Sequence, residues 1–448
     1  MIEGTMSRIA PFRGILYNQK KIPDLSQVIA PPYDVITPEA QERLYRKSPY
    51  NVVRLILNRD PDRYESVARL FQSWQSEEIL VRDEAPAIYF LSQRFKLKEG
   101  GEKERQGFIA LARIEDFSSG KIRPHEMTLA GPKEDRFRLL LACQANLSPI
   151  FALYSQPKQT INRMLTEHAE TIAPLLQVHN DGGESCRLWR VTDPEIIRQV
   201  QREMEDHLLL IADGHHRYEA ALNFRDHWRR ERATWSGQEP FHYLMMYFSN
   251  TDDPGLVILP THRLVKDFPP IPFQRLEDEL QRCFYLEPYP KTRAGQRSFL
   301  SALKGGRRRH FLGASFKGDP RYLILRLKNK RIMQRLAQEI SPALRELDVT
   351  TLHRLILEHI LGLKPEAQRQ GEIISYSEDE EAVLRAVDEG ECRAAFILNP
   401  PRPEEILTVA RAGEKMPQKS TYFYPKLISG LVINKIDLDE EIADLTVP

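Results

Sequence analysis

The sequence predicts a mixed α/β protein, α+β in character, with several segments on mixed sheets, and three observations carry that expectation. Apolar runs of strand length, such as "AIYFLSQRFKL", "SPIFALYS" and "FHYLMMYFSN", recur along the chain. Between them lie segments with helical apolar spacing, among them "DRYESVARLFQSWQ" and "DPEIIRQVQREM". At 448 residues the chain exceeds what one core usually organises, so two or three domains are expected.

Taken in order, "GILYN" reads as a strand, and "QVIAPPYDVI" as an extended loop because Pro31 and Pro32 exclude a helix. That loop presents Asp34. "TPEAQERLYRKSP" has Thr37 at N-cap and Pro38 at the first helical position. "AIYFLSQRFKL" and "RQGFIALARIEDF" are strands joined through the charged, glycine-bearing tip "KEGGEKE". Helical "DRFRLLLACQA" and the strand "SPIFALYS" close a first mixed domain, residues 1–155. A central segment, 156–267, holds "ESCRLWRVT", a helix near "DPEIIRQVQREM", "LLLIADGHHRYEAALNF" and "FHYLMMYFSN". A C-terminal α/β region, 268–448, contains the basic run "GGRRRHF", the helix "LDVTTLHRLILEHILGL" and late strands "AAFILNP" and "GLVINKI".

Lys and Arg number 64 against 63 Asp and Glu, a formal net charge of +1. No global field therefore favours nucleic acid or an anionic membrane. The four cysteines are scattered without a Cys-x-x-Cys pair, which argues against a disulfide framework and a structural zinc site. The start, "MIEGTMSRIAPFRG", has no apolar signal segment, and no run approaches bilayer length. A cytoplasmic location is expected, with Met1 or Met6 as the start. No Gly-x-x-x-x-Gly-Lys loop, Gly-x-Gly-x-x-Gly fingerprint or Gly-x-Ser-x-Gly elbow is present.

The densest candidate chemistry is Asp213-Gly214-His215-His216-Arg217, where the apolar strand "LLLIA" gives way to a helix that Asp213 is suited to cap. Free N–H groups and the helix dipole favour an anion there, and Arg217 offers a two-pronged donor to phosphate or carboxylate. A plain capped turn with solvated His and Arg is an equal reading of these residues. Metal ligation is the weakest, because adjacent histidines diverge on a helix. A second constellation, "RPHEMTLAGPKEDR", gathers His125, Glu126, Lys133, Asp135 and Arg136 around a Gly-Pro turn, as either a site loop or an exposed charged turn. The third, "GEKMPQKSTYFYPK", alternates Lys415, Lys419 and Lys426 with Ser420, Thr421, Tyr422 and Tyr424, as an anion site or a surface loop. His262 and Arg263 in "LPTHRLVKD" carry the same ambiguity. His353 and His359 read as packing or surface residues of an amphipathic helix.

The blocks "PFRGILYN", "APPYDVI", "HEMTLAGPKEDR", "ANLSPIFALY", "IADGHHRYEAAL", "LPTHRLV" and "MPQKSTYFYPKLISGL" resemble, in order, the prokaryotic domain of unknown function 1015. Asp213 to Arg217 and the helix behind them also resemble the phosphate-binding motif of the ParB and sulfiredoxin-like superfamily, whose members use CTP or ATP and include kinases of free serine. The resemblance implies a ParB/sulfiredoxin-like central unit that binds nucleotide phosphates. No helix-turn-helix follows the motif, and no cysteine stands beside the histidines as in sulfiredoxins. The expectation is a phosphotransferase using ATP or ADP, with Mg²⁺ as a further possible cofactor, on a small hydroxylated metabolite such as free serine. Gly214, His215, His216, Arg217, His125, Lys133, Arg136, Lys419, Ser420 and Thr421 would bind phosphate or nucleotide. Asp213 would orient Mg²⁺ or the acceptor, and Glu126 or Asp34 would act as general base. A non-catalytic nucleotide-binding regulator is the alternative, and a metal-dependent hydrolase using His125, Glu126, His215 and His262 the second. No membrane or nucleic-acid partner is expected, and no motif specifies an oligomeric state.

Overall fold

The structure is a computed structural model that describes residues 8–98, 100–126, 130–232, 234–307, 310–369 and 373–442. Met1 and Met6, and Arg308 and Arg309 of the basic run, lie outside the described residues. The chain divides into two units, one drawn from Met1–Pro124, Thr128–Val257 and Pro425–Pro448, the other from His125–Met127 and Ile258–Tyr424.

The first unit is built on a mixed nine-stranded sheet. Its order is Ile122–Pro124, Leu209–Asp213, Ile150–Tyr154, Tyr243–Asn250, Glu102–Arg113, Ile88–Lys96, Ser185–Val191 and Leu176–His179, with Ile9–Ala10 paired beside Glu102–Arg113. Two pairings are parallel, Leu209–Asp213 with Ile122–Pro124 and Tyr243–Asn250 with Ile150–Tyr154. The long hairpin Ile88–Lys96 to Glu102–Arg113 carries continuous apolar runs, 88–91 and 108–112, that are buried throughout, as strands covered on both faces require. Tyr243–Asn250 is buried along its whole length, as expected of a strand covered on both faces. The helices Arg63–Ser76 and Pro194–Met204 form where helical spacing placed them. Thr37 accepts from the Ala40 amide at 3.3 Å and so starts Pro38–Lys47.

This sheet runs without a break across residue 155, because Ile150–Tyr154 hydrogen-bonds to Leu209–Asp213 on one side and Tyr243–Asn250 on the other. The observed division therefore differs from the expected 1–155 and 156–267 segments, and the main stretch of the second unit runs from Ile258 to Tyr424 instead of from residue 268 to the end. Periodicity within a segment does not reveal which distant strand it pairs with.

The C-terminal segment returns to the first unit. Asn434–Lys435 pairs with Ala145–Asn146, Ile433 bridges to Ile15, and Arg82 forms an ion pair with Glu440. Only Asn434–Lys435 of the expected strand "GLVINKI" is in strand conformation.

The second unit carries a six-stranded sheet in the order Phe284–Pro290, Arg321–Leu327, Phe311–Phe316, Ala394–Ile397, His262–Val265 and Ile374–Ser377, antiparallel throughout. Phe299 and Leu303 of helix Arg293–Gly305 and Val383, Leu384 and Val387 of helix Glu380–Asp388 pack with Ile324, Ala395 and Ile397. Full burial of such side chains stabilises by about 1.5–3 kcal/mol each. The segment read as one regular helix splits into Asp348–Thr350 and a π-helical stretch, Thr351–Ile360, with Leu361 N bonding to Ile356 O. No helix among the described residues is long and apolar enough to cross a membrane.

Candidate functional site

Leu209 to Ala212 are buried, and the strand ends where its first carboxylate, Asp213, appears. The register against Ile150–Tyr154 shifts between Ile211 and Asp213, an irregularity of the kind that re-aims a side chain. Gly214 follows with φ 92°, in the left-handed region, and the helix His215–Glu231 begins at the next residue. The helix is anchored by buried Tyr218, Ala221 and Phe224. Tyr218 donates to Glu115 O at 2.6 Å and accepts from Glu115 N at 3.0 Å.

The expected N-cap at Asp213 is corrected, for no side chain caps this helix. Instead the Asp213 carboxylate accepts from Lys426 Nζ at 2.5 Å and from Arg217 Nη2 at 2.9 Å. Arg217 Nη1 donates to Pro149 O at 2.6 Å, and its Nε is buried without a partner. Burial pushes the Asp213 carboxyl upward in pKa, but Lys426 and Arg217 prevail and hold it well below the usual carboxylate range. Asp213 thus meets two cations beside a helix N-terminus. His215 and His216 stand half-buried on the first turn.

A cavity of about 60 Å³ opens beside this cluster, lined by Arg217, Arg136, Tyr33, Asn146 and Ser148 among others. Arg136 and Lys133 do not sit on a Gly-Pro loop as expected. They lie on helix Ala130–Cys143, whose first turn accommodates Pro132 because N–H groups there have no intrahelical acceptor. Met127, Thr128 and Leu129 of that block lie outside the described residues. Arg136 is buried, donates to Ile56 O at 2.8 Å, and lies over the Tyr33 ring at 4.0 Å. Lys133 pairs with Glu219 on the motif helix at 3.8 Å. Asp34 is exposed on the short 3-10 turn Tyr33–Val35, beside cavity-lining Tyr33; the chain is extended at Pro32, ψ 146°, and again at Ile36, ψ 111°, but not at Asp34 itself.

His125, Glu126, Lys419, Ser420 and Thr421 form a cluster within the second unit. Glu126 Oε1 accepts from the Ser420 and Thr421 amides and from Thr421 Oγ1, at 3.1, 3.2 and 3.0 Å, and Oε2 accepts from the Lys419 amide at 3.2 Å. His125 is buried, with Nε2 2.7 Å from Thr421 Oγ1. Lys419 has φ 56°, and its side chain is exposed. His262 and Arg263 are both buried in the strand His262–Val265. His353 is bonded to Gln368 at 2.7 Å, in keeping with a packing role.

Among the described residues no group of three or more His, Cys, Asp or Glu side chains is placed to hold a metal ion. Asp213 fits Mg²⁺ poorly, because both its oxygens already accept from cations. Sequence reasoning passed over Tyr33, Asn146 and Ser148 and weighted Lys426 too lightly. The signal for Lys426 was its place in the third block.

Fold and site define a mixed α/β protein with a basic cradle where a strand turns into a helix. The chain belongs to the family described as Protein of unknown function (DUF1015), whose model matches residues 9–350. No curated protein matches the sequence. Similar solved structures include a mutant free serine kinase in complex with AMP, at 12% identity and TM-score 0.36 over 72% of this chain and 91% of that one. A conserved hypothetical protein from Pyrococcus furiosus aligns at 13% identity and TM-score 0.33, over 71% and 94% of the two chains. C-terminally truncated SbnI from Staphylococcus aureus aligns at 12% identity and TM-score 0.35, over 74% and 90%.

Proposed function

We propose that the cradle at Asp213–Arg217 binds the phosphates of a nucleotide such as ATP or ADP, and that the protein transfers phosphate to a small hydroxylated acceptor such as free serine. The observation that carries the reading is Arg217, which lines the cavity, keeps a buried, unpartnered Nε, and is fixed at its other two nitrogens by Asp213 and Pro149. A guanidinium already immobilised loses little further entropy on meeting an anion. The N-terminus of the His215–Glu231 helix adds to the attraction, with Arg217 and Lys426 beside it, whereas the charge of Arg136 is offset by its ion pair with Asp135. The likeness of the Asp-Gly-His-His-Arg motif to the ParB and sulfiredoxin-like phosphate sites supports the same assignment, with Gly214, His215 and His216 contributing close backbone approach and imidazole donors.

In this reading Asp213 is the counter-ion that positions Arg217 and Lys426. The general base is Asp34, an exposed carboxylate next to Tyr33, in preference to Glu126, whose oxygens already accept four hydrogen bonds. Lys133 sits within reach of the motif helix through Glu219.

The test is calorimetric titration of the protein with ATP and ADP, followed by phosphoserine detection with serine present. Arg217→Ala should weaken nucleotide binding roughly tenfold or more, the value of a charge-assisted contact. Unchanged affinity in a folded variant would remove the reading. The engagement of both Asp213 oxygens also favours a second reading, a nucleotide-binding regulator without transfer. Stoichiometric binding with no turnover across a panel of amino acids and alcohols would assign that one.

A further inference from the structure

We propose that the second unit holds a separate site for a small monocarboxylate, seated on Arg263 and Arg307; this does not rest on the nucleotide reading. Arg263 is 1% exposed, and everything its terminal nitrogens reach is backbone: Thr261 O, Lys419 O at 3.0 Å and Gln418 O at 3.5 Å. Its Nε is buried with no partner, and the Tyr376 ring lies 5.2 Å from the guanidinium carbon. Among the described residues no carboxylate stands at ion-pair distance from it. Glu126 acts on Arg263 only through its field, while its oxygens serve the 419–421 amides.

A buried cation without a counter-ion is costly, and proteins usually pair it. The surroundings do not relieve the charge. Burial and the field of Arg263 push the pKa values of His262 and His353 down to about 3, so both rings stay neutral and Arg263 is the charge an incoming anion meets there. A small, largely enclosed cavity of about 20 Å³ adjoins Arg263 and is also lined by Arg307, Asn399, Ser420, Asp348 and Glu405. That volume exceeds what one water needs and suits a compact group. The Arg307 side chain is exposed and forms no ion pair among the described residues.

The lining also selects the ligand. Asp348 is bonded to His310 at 2.9 Å and Glu405 to Arg402 at 2.9 Å, so two acids border the same space and disfavour a dianion. A planar monoanion matches the guanidinium fork best. Carboxylate satisfies both conditions, whereas inorganic phosphate does not.

The experiment is thermal unfolding of the full chain in rising sodium acetate or sodium formate, against sodium chloride and sodium phosphate at equal ionic strength. The expected result is a saturable rise in Tm with acetate or formate that chloride and phosphate do not reproduce. Arg307→Gln should leave the Tm without anion unchanged and raise the half-saturating concentration by about tenfold, the loss of one charge-assisted contact. The proposal is overturned by any of three results. These are no saturable rise with either carboxylate, a rise that chloride or phosphate matches, or the same half-saturation in Arg307→Gln.

Discussion

At Gly214 the absence of a side chain is what allows the Asp213–Arg217 pair to form. The residue has φ 92°, and a Cβ there would lie 2.8 Å from Arg217 Nη2. Gly214→Ala should cost about 1–2 kcal/mol for the left-handed backbone alone, with more for the displaced guanidinium. Urea denaturation checks the figure, and a variant as stable as the parent would contradict the geometry. His262 makes a different kind of prediction. Its Nδ1 accepts from the Leu398 amide at 3.2 Å, so the neutral ring carries its proton on the buried, unpartnered Nε2. Its pKa in the fold, like that of His353, is about 3 against an ordinary 6.5. Between those values the unfolded chain binds protons that the folded chain does not, so stability falls as pH drops from 6.5 towards 3. Each histidine contributes a slope of up to about 1.4 kcal/mol per pH unit. Unfolding midpoints measured at pH 7 and pH 5 should converge in His262→Asn relative to the parent. The sequence showed His262 and Arg263 as a pair of equivocal polar residues; their burial depends on a sheet it did not display.

Single elements were largely legible where periodicity was strong and turn chemistry unambiguous. Thr37-Pro38 marked a helix start, and "KEGGEKE" marked a hairpin tip. The Gly131-Pro132 dipeptide misled, because a proline in the first turn of Ala130–Cys143 costs no intrahelical bond. The loop 417–421 misled more. Composition reads as exposed surface, yet its amides converge on Glu126 and Ser420 is buried. Nothing short of tertiary pairing at 293 to 295 residues' separation defines that arrangement. Glu126→Gln replaces a charged acceptor shared by three amides, and should destabilise the loop by about 1–3 kcal/mol. Hydrogen exchange at Lys419, Ser420 and Thr421 is the direct readout, with rates at least about tenfold faster expected. Parent-like exchange would mean that Glu126 does not hold the loop.

Across the whole molecule, the strand order of the large sheet follows neither sequence order nor the expected segment boundaries. Short apolar strands reveal that a sheet exists, and pairing depends on which faces they bury together, which is why the candidate residues were legible as motifs but not as neighbours. The first unit recruits its last segment from beyond the second, and that segment supplies Lys426, the Asn434–Lys435 pairing and the Glu440 ion pair. A chain ending at Tyr424 should therefore unfold with a markedly lower midpoint in its first unit, measured by exchange protection of the Ile150–Tyr154 and Leu209–Asp213 strands. Protection equal to the full chain would show the segment to be dispensable. The same recruitment imposes a schedule during synthesis. Asp213 precedes Lys426 by 213 residues, which at about 5–20 residues per second is a delay of roughly 10–40 s on the ribosome. Throughout that interval the nascent carboxylate has Arg217 but lacks its lysine, so the Asp213–Arg217–Lys426 cluster is among the last features of the protein to mature.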